Sequence, residues 1–197
     1  MAGGSSSRIG EEKGLVELKG KPLIRHVLSK TKSLVDDNIV VVHTKDQAEK
    51  YAHVLEPEAK IIVDKADFRS PLVGALAGFE AVSCEYSLLL SCDTPLVSTE
   101  VLKLLIELCI NKSAAIPRWP NCQIEPLQSA YCTKAALLAA TSSLRVGNLR
   151  LQGMIDQLHG IRYVSTLVLE QLDPNLNTFF NVNTPLDLKK AELLLRT

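Results

Sequence analysis

The chain carries no excess of either charge, since 22 Lys and Arg offset 22 Asp and Glu across 197 residues. It therefore lacks the global field that drives nonspecific binding to nucleic acid or to anionic membranes, and neither is an expected partner. Long apolar runs are missing too. Stretches such as Asn38 to Val42 and Tyr86 to Ser91 fall far short of the roughly 20 residues a membrane-spanning helix needs. The first residues hold no basic region followed by an apolar stretch, so no secretion signal is expected and cytoplasm is the expected compartment. Five cysteines, Cys84, Cys92, Cys109, Cys122 and Cys132, form no CxxC pair, which argues for reduced thiols used in packing and against a disulfide framework or a zinc site. His26, His43, His53 and His159 show no ligand spacing, so a histidine metal site is not expected. Repeats are absent, as is low complexity beyond Ser5 to Ser7. What remains is an ordinary globular composition, 46% hydrophobic and 22% charged, at a length suited to one domain over residues 1–197.

Asn38 to His43, Lys60 to Val63, Tyr86 to Ser91 and Phe179 to Val182 are short, nearly continuous apolar segments, the pattern of strands buried on both faces. Between them, helical spacing covers Pro22 to Leu34, Lys45 to Leu55, Pro71 to Val82, Thr99 to Ile110 and Pro185 to Leu195. Ser98 or Thr99 can cap the fourth of these, and Pro71 and Pro185 stand where a first-turn proline is tolerated. Alternating strands and helices predict a three-layer α/β sandwich with a mostly parallel, Rossmann-like sheet. Ile116 to Tyr131, with its three prolines, is expected to be an excursion that ends in a short strand from Leu127 to Ala130.

Chemistry concentrates at the start of the chain. Ala2 to Lys13 reads AGGSSSRIGEEK. Glycines there let successive N–H groups wrap an anion, and two cations can complete the clamp. Residues 1–32 hold seven Lys or Arg against three Glu. The segment is neither a Walker loop nor a G-x-G-x-x-G dinucleotide turn. Asp93 follows the strand ending at Ser91, at the carboxyl edge where open α/β sheets place ligands. A hard carboxylate there suits Mg²⁺, which is held by one or two carboxylates plus substrate phosphate oxygens; an Asx-turn before Pro95 is the alternative. Asp64 closes the strand Lys60 to Val63 in the same way, either as a ligand contact or as a solvated loop carboxylate. His43 could donate or accept from either ring nitrogen, or serve structurally. Asn181 and Asn183 flank Val182 and, on an extended segment, would share a face. Trp119 could stack on an acceptor or cover the core, and Arg118 could meet an acceptor phosphate.

Gly3, Gly4, Ser6, Arg8, Gly10 and Lys13 fit GG-x-S-x-R-x-G-x-x-K, and Gly20-Lys21-Pro22-Leu23, Ser70 to Gly74, Cys92 to Pro95, Glu125-Pro126-Leu127 and Phe180 to Pro185 follow in order. In these motifs, which span nearly the whole chain, the sequence resembles the MobA-like nucleotidyltransferase family of molybdenum cofactor guanylyltransferases. The resemblance implies transfer of GMP from GTP to the phosphate of molybdopterin with release of pyrophosphate, Mg²⁺ as cofactor, and a molybdenum-insertion protein or molybdoenzyme chaperone as a candidate protein partner. It implies Lys13, Arg8 and Asp93 as catalytic, with Asp93 as metal ligand. Ala2, Gly3, Gly4, Lys13, His43, Asp64, Pro71, Leu72 and Asp93 are implied for the nucleotide, and Asn181 and Asn183 for the acceptor or phosphate side. Ala2-Gly3-Gly4, where cytidylyl relatives carry Ala-Ala-Gly, points to guanine. His43 stands where relatives often have Asn, and Ser70 where they often have Gly. Relatives also carry an apolar strand before the glycine loop, whereas only Met1 precedes it here, so the expectation is either that the true start lies upstream or that the sheet lacks that member. A nucleotidyltransferase with another acceptor, or a noncatalytic nucleotide-binding regulator, would share the same nucleotide half.

Overall fold

The structure, a computed structural model, describes residues 1–3, 12–55, 59–64 and 70–195. After a 3₁₀ turn at Lys13–Leu15, a two-residue ribbon pairs β1 (Glu17–Leu18) with β2 (Lys21–Pro22) and leads into α1 (Leu23–Thr31). Next come β3 (Asn38–Val42), α2 (Lys45–Ala52), β4 (Ala59–Val63), α3 (Pro71–Ala81), β5 (Tyr86–Leu89) and α4 (Thr99–Cys109). The remainder is β6 (Ala114–Arg118), β7 (Ser129–Cys132), α5 (Thr133–Arg145), α6 (Leu151–Ile155), β8 (Ile161–Ser165), α7 (Thr166–Leu169), a 3₁₀ turn at Asn177–Phe179, and α8 (Pro185–Leu194).

The α/β alternation is realised as two sheet halves. β3 and β4 run parallel in register from Asn38↔Ala59 to Val42↔Val63. β5, β7, β6 and β8 form the other half, in that order. There β6 and β8 are parallel, while β7 runs against both β5 and β6. Strand alternation splits this half's core between two faces. Ala114, Ile116 and Tyr131 pack with Leu72 and Phe79 of α3, Ala136 of α5 and Met154 of α6. Ala115 and Ala130 pack with Val101 and Leu105 of α4 and Leu169 of α7. Helices therefore cover both faces, giving three layers.

Residues 1 and 2 stitch the halves together. The Ala2 N–H donates to the Val41 carbonyl at 2.8 Å, the Cys92 N–H to the Met1 carbonyl at 3.1 Å, and the Met1 amino group to the Leu90 carbonyl at 2.9 Å. This is the bonding pattern of a parallel neighbour to residues 90–92. Burial holds the pKa of the Met1 amine below its ordinary value. Beyond Met1, a cavity of about 370 Å³ separates β3 from β5, lined by Val27, Ile39, Val41, Phe79, Leu88 and Leu90 among others.

Local chemistry explains most boundaries. Ser70 caps α3 by accepting from the Leu72 N–H with Pro71 in the first turn, and Ser98 caps α4. Thr44 and Thr184 form capping boxes with Gln47 and Asp187. Such caps satisfy N–H groups that a helix leaves unpaired.

Three expectations need correction. Phe179 to Val182 is not a strand. Buried Asp173 accepts from both the N–H and the hydroxyl of Thr178, folding the chain into a 3₁₀ turn, and the Val182 N–H donates to the Asp93 carbonyl at 2.8 Å rather than into a ladder. The proline-rich excursion begins inside a strand, because β7 pairs with β6 only at Ala114 and Ala115. Pro117 lies beyond that ladder and gives up no bond to it. Its carbonyl accepts instead from the Glu125 N–H at 3.0 Å. The short strand at its end is shifted to Ser129–Cys132.

Two further expectations concern absences and thiols. No helix among the described residues is long and apolar enough to cross a membrane. Cys92 and Cys109 are buried, and burial pushes each thiol up to about 11, as inert packing groups require.

Candidate functional site

The carboxyl ends of β3, β4 and the Leu90–Cys92 segment after β5 carry His43, Asp64 and Asp93. Asp93 is 7% exposed. Its Oδ1 accepts from the Ser91 hydroxyl, and its Oδ2 lies 3.2 Å from the Lys13 ammonium. Lys13 Nζ also donates to Asn183 Oδ1 at 2.5 Å. Three remote stretches thus meet at one ammonium: the 3₁₀ turn after the glycine segment, the end of the β5 strand, and the run before α8. Val182, tied to Asp93 through the backbone, brings Asn183 into place. The low exposure of the Asp93 carboxylate strengthens its pair with Lys13 relative to surface ion pairs.

A second pair lies at the ends of β3 and β4. His43 Nδ1 is 2.9 Å from Asp64 Oδ1, with the two side chains 14% and 7% exposed. The ladder sets this geometry, and the Asp64 N–H extends it by donating to the Val42 carbonyl at 2.9 Å. Gly3 lies against the end of β3, where a Cβ would sit 3.2 Å from the backbone nitrogen of His43, so a larger residue there would have to displace Gly3 or β3.

The remaining expected residues divide. Ala2 is buried in the seam. Pro71 is exposed at the start of α3, whereas Leu72 is fully buried in the core, so any ligand contact there falls to its backbone. The Ser70 hydroxyl is occupied in the α3 cap and in donating to the Leu149 carbonyl at 2.6 Å. Asn181 does not join Asn183. Its Nδ2 turns back to the Phe179 carbonyl at 3.2 Å, because residues 180–183 form no ladder that would hold both amides on one face. Trp119 packs edge-on against Phe179 and donates to Glu125 Oε1 at 2.7 Å. Arg118 stacks over Tyr163, 5.0 Å from the ring centre. Gly4, Ser6, Arg8 and Gly10 lie outside the described residues.

Sequence reasoning missed Ser91, Glu12, Gln47 and Tyr51. Gln47 was accessible as the fourth residue of the Thr44-x-x-Gln47 capping box. Its second bond, from Nε2 to Glu12 Oε2 at 2.8 Å, has no local signal.

Among the described residues no group of three or more His, Cys, Asp or Glu side chains could hold a metal by itself. The site does offer two oxygen donors, Asp93 Oδ2 and Asn183 Oδ1, converging on one cation, the ammonium of Lys13. Such a donor set fits a hard ion such as Mg²⁺, with substrate oxygens completing its shell.

Residues 1–161 match the family described as the MobA-like NTP transferase domain. A probable molybdenum cofactor guanylyltransferase of Methanosarcina mazei is 31% identical over 194 residues, which cover 96% of this chain and 86% of that protein. Molybdopterin-guanine dinucleotide biosynthesis protein A of Archaeoglobus fulgidus superposes with a TM-score of 0.83 at 30% identity, covering 99% of this chain and 96% of the other. The 2-C-methyl-D-erythritol 4-phosphate cytidylyltransferase of Thermus thermophilus shares the fold, with a TM-score of 0.71 at 17% identity over 94% of each chain.

Proposed function

The chain belongs to the MobA-like NTP transferase family, and from that premise we propose that it is a molybdenum cofactor guanylyltransferase, moving GMP from GTP onto the terminal phosphate of molybdopterin. An oxygen of that phosphate bonds to the α-phosphorus of GTP while the bond from the α-phosphorus to the bridging oxygen breaks. Pyrophosphate leaves, and a guanine dinucleotide forms.

The observation that carries this reading is the convergence of Lys13, Asp93 and Asn183. A phosphate nucleophile is already ionised at neutral pH, so the site needs no general base. It must hold two mutually repelling anions and offset the charge that grows on the leaving group. Lys13 is assigned to supply positive charge for the α-phosphate and for pyrophosphate, and Arg8 is assigned to the same anion. Asp93 would hold Mg²⁺ together with nucleotide phosphate oxygens, and a bound Mg²⁺ supplies further charge neutralisation. Asn183, already beside Lys13, is assigned to the phosphate side. The His43–Asp64 pair and the glycine backbone beside it are assigned to the nucleoside, where donors and acceptors fixed by a sheet ladder suit recognition of a base or ribose.

The test is an assay of pyrophosphate release with Mg²⁺, molybdopterin, and each of GTP, CTP and ATP. Release is expected with GTP. Release with CTP alone would reassign the base, and no release from any combination would remove the transferase reading.

A further inference from the structure

Helix α2, reading KDQAEKYA, buries two side chains, Gln47 and Tyr51. They stand one turn apart on the same face, and both reach the glycine segment, Tyr51 from within the core it shares with Val40 and Val42 of β3. Gln47 is 1% exposed. Its Oε1 accepts from the N–H groups of His43 at 2.8 Å and Thr44 at 3.2 Å, and its Nε2 donates to Glu12 Oε2 at 2.8 Å. Tyr51 is completely buried, and its hydroxyl donates to the Ala2 carbonyl at 3.3 Å. Burial pushes the phenol far above its ordinary pKa, so it remains a donor throughout the working pH range. Its ring lies flush against Gly14, where a Cβ would come within 2.4 Å of the phenol oxygen and 3.0 Å of the ring.

These contacts enclose Lys13. Glu12 before it is held by Gln47, Gly14 after it is packed on Tyr51, and Ala2, at the other end of the same segment, is held by Tyr51 as well. The helix needs none of this. A capping box is complete once the Gln47 Oε1 has met the N-cap N–H, and an aliphatic side chain would fill the space of a buried phenol without a polar group to satisfy. The Gln47–Glu12 bond also keeps a carboxylate turned toward α2, away from the ammonium that must face Asp93.

We propose that α2 clamps the two ends of the glycine segment, with Gln47 and Tyr51 as positioning residues that fix Lys13 toward Asp93 and couple its place to that of His43. The inference rests on the proposed nucleotidyl transfer for its catalytic consequence, and on hydrogen bonds alone for its structural one.

The experiment uses the full chain with Gln47→Glu, Glu12→Gln/Gln47→Glu and Tyr51→Phe. In Gln47→Glu the introduced carboxylate can still accept from His43 and Thr44, but it faces the Glu12 carboxylate with no proton to donate. The paired exchange restores a donor and an acceptor across the same gap with the same net charge. Two readouts are taken. In pyrophosphate release, Gln47→Glu should lower kcat about tenfold, the worth of one hydrogen bond to a charged group, with little change in the KM for GTP. In amide hydrogen exchange, the N–H groups of Leu15 and Val16, which bond the carbonyls of Glu12 and Lys13, should exchange about tenfold faster. The double variant should recover most of both effects. Tyr51→Phe, the gentler change, should speed exchange at the same two amides. A wild-type protein that releases no pyrophosphate would defeat the functional reading while the exchange data still judge the clamp. The clamp is overturned by wild-type exchange at Leu15 and Val16 in both single variants. It is equally overturned by a double variant no better than Gln47→Glu, which would mark the loss as general destabilisation.

Discussion

The two halves of the sheet end in the same kind of pair, an aspartate facing a basic side chain, yet the pairs are assembled in opposite ways. His43 and Asp64 are 21 residues apart and are placed by a parallel ladder paired at every position of β3 and β4. Lys13 and Asp93 are 80 residues apart, and the lysine is placed by a short turn held in tertiary contact. A ladder sets geometry whatever the ligand does. An ammonium on a held turn can instead answer charge that changes during a reaction. On the proposed function, recognition falls to the β3–β4 side and charge stabilisation to the β5 side.

The largest expected effect breaks the second pair. Lys13→Ala should lower kcat by about 10² to 10³, the range seen when one preorganised electrostatic donor is removed, with a smaller change in the KM for GTP. Steady-state pyrophosphate release measures it. A raised KM for GTP with kcat unchanged would make Lys13 a binding residue only and erase the contrast. A smaller effect probes the first pair. His43→Ala should raise the KM for GTP by up to about tenfold, the worth of a hydrogen bond, while kcat stays near wild type. A kcat defect as deep as that of Lys13→Ala would place both pairs in one role.

The legible parts of the fold were those with strong local signals. The β-branched runs at Asn38 to Val42 and Ala59 to Val63, and the Ser or Pro starts of α3, α4 and α8, carry their boundaries in a few residues. β8, reading IRYVS, has only one fully buried residue, and α5 is rich in alanine and serine, so neither has a periodicity that stands out. The order of β7 between β5 and β6 depends on long-range pairing that no local pattern encodes.

At the site, Asp93 was legible from its place after a buried strand, and Lys13 from its place after clustered glycines. Asn181 and Asn183 looked equivalent because alternate residues share a face on a strand. The Asp173–Thr178 turn removes the strand and separates them. The capping box marks Gln47 only as part of a helix start, and Tyr51 has no signal because α2 is so polar that it reads as a solvated helix; only the fold shows that a buried amide and a buried phenol face the glycine segment.

The central claim is that Lys13 and Asp93 act on the same triphosphate. A double-mutant cycle in kcat for pyrophosphate release, using Lys13→Ala, Asp93→Ala and the double variant, tests it most directly. If the two side chains serve one phosphate chain in one step, the double variant will lose little more than the worse single variant. Losses that multiply would mean independent sites and would contradict the account.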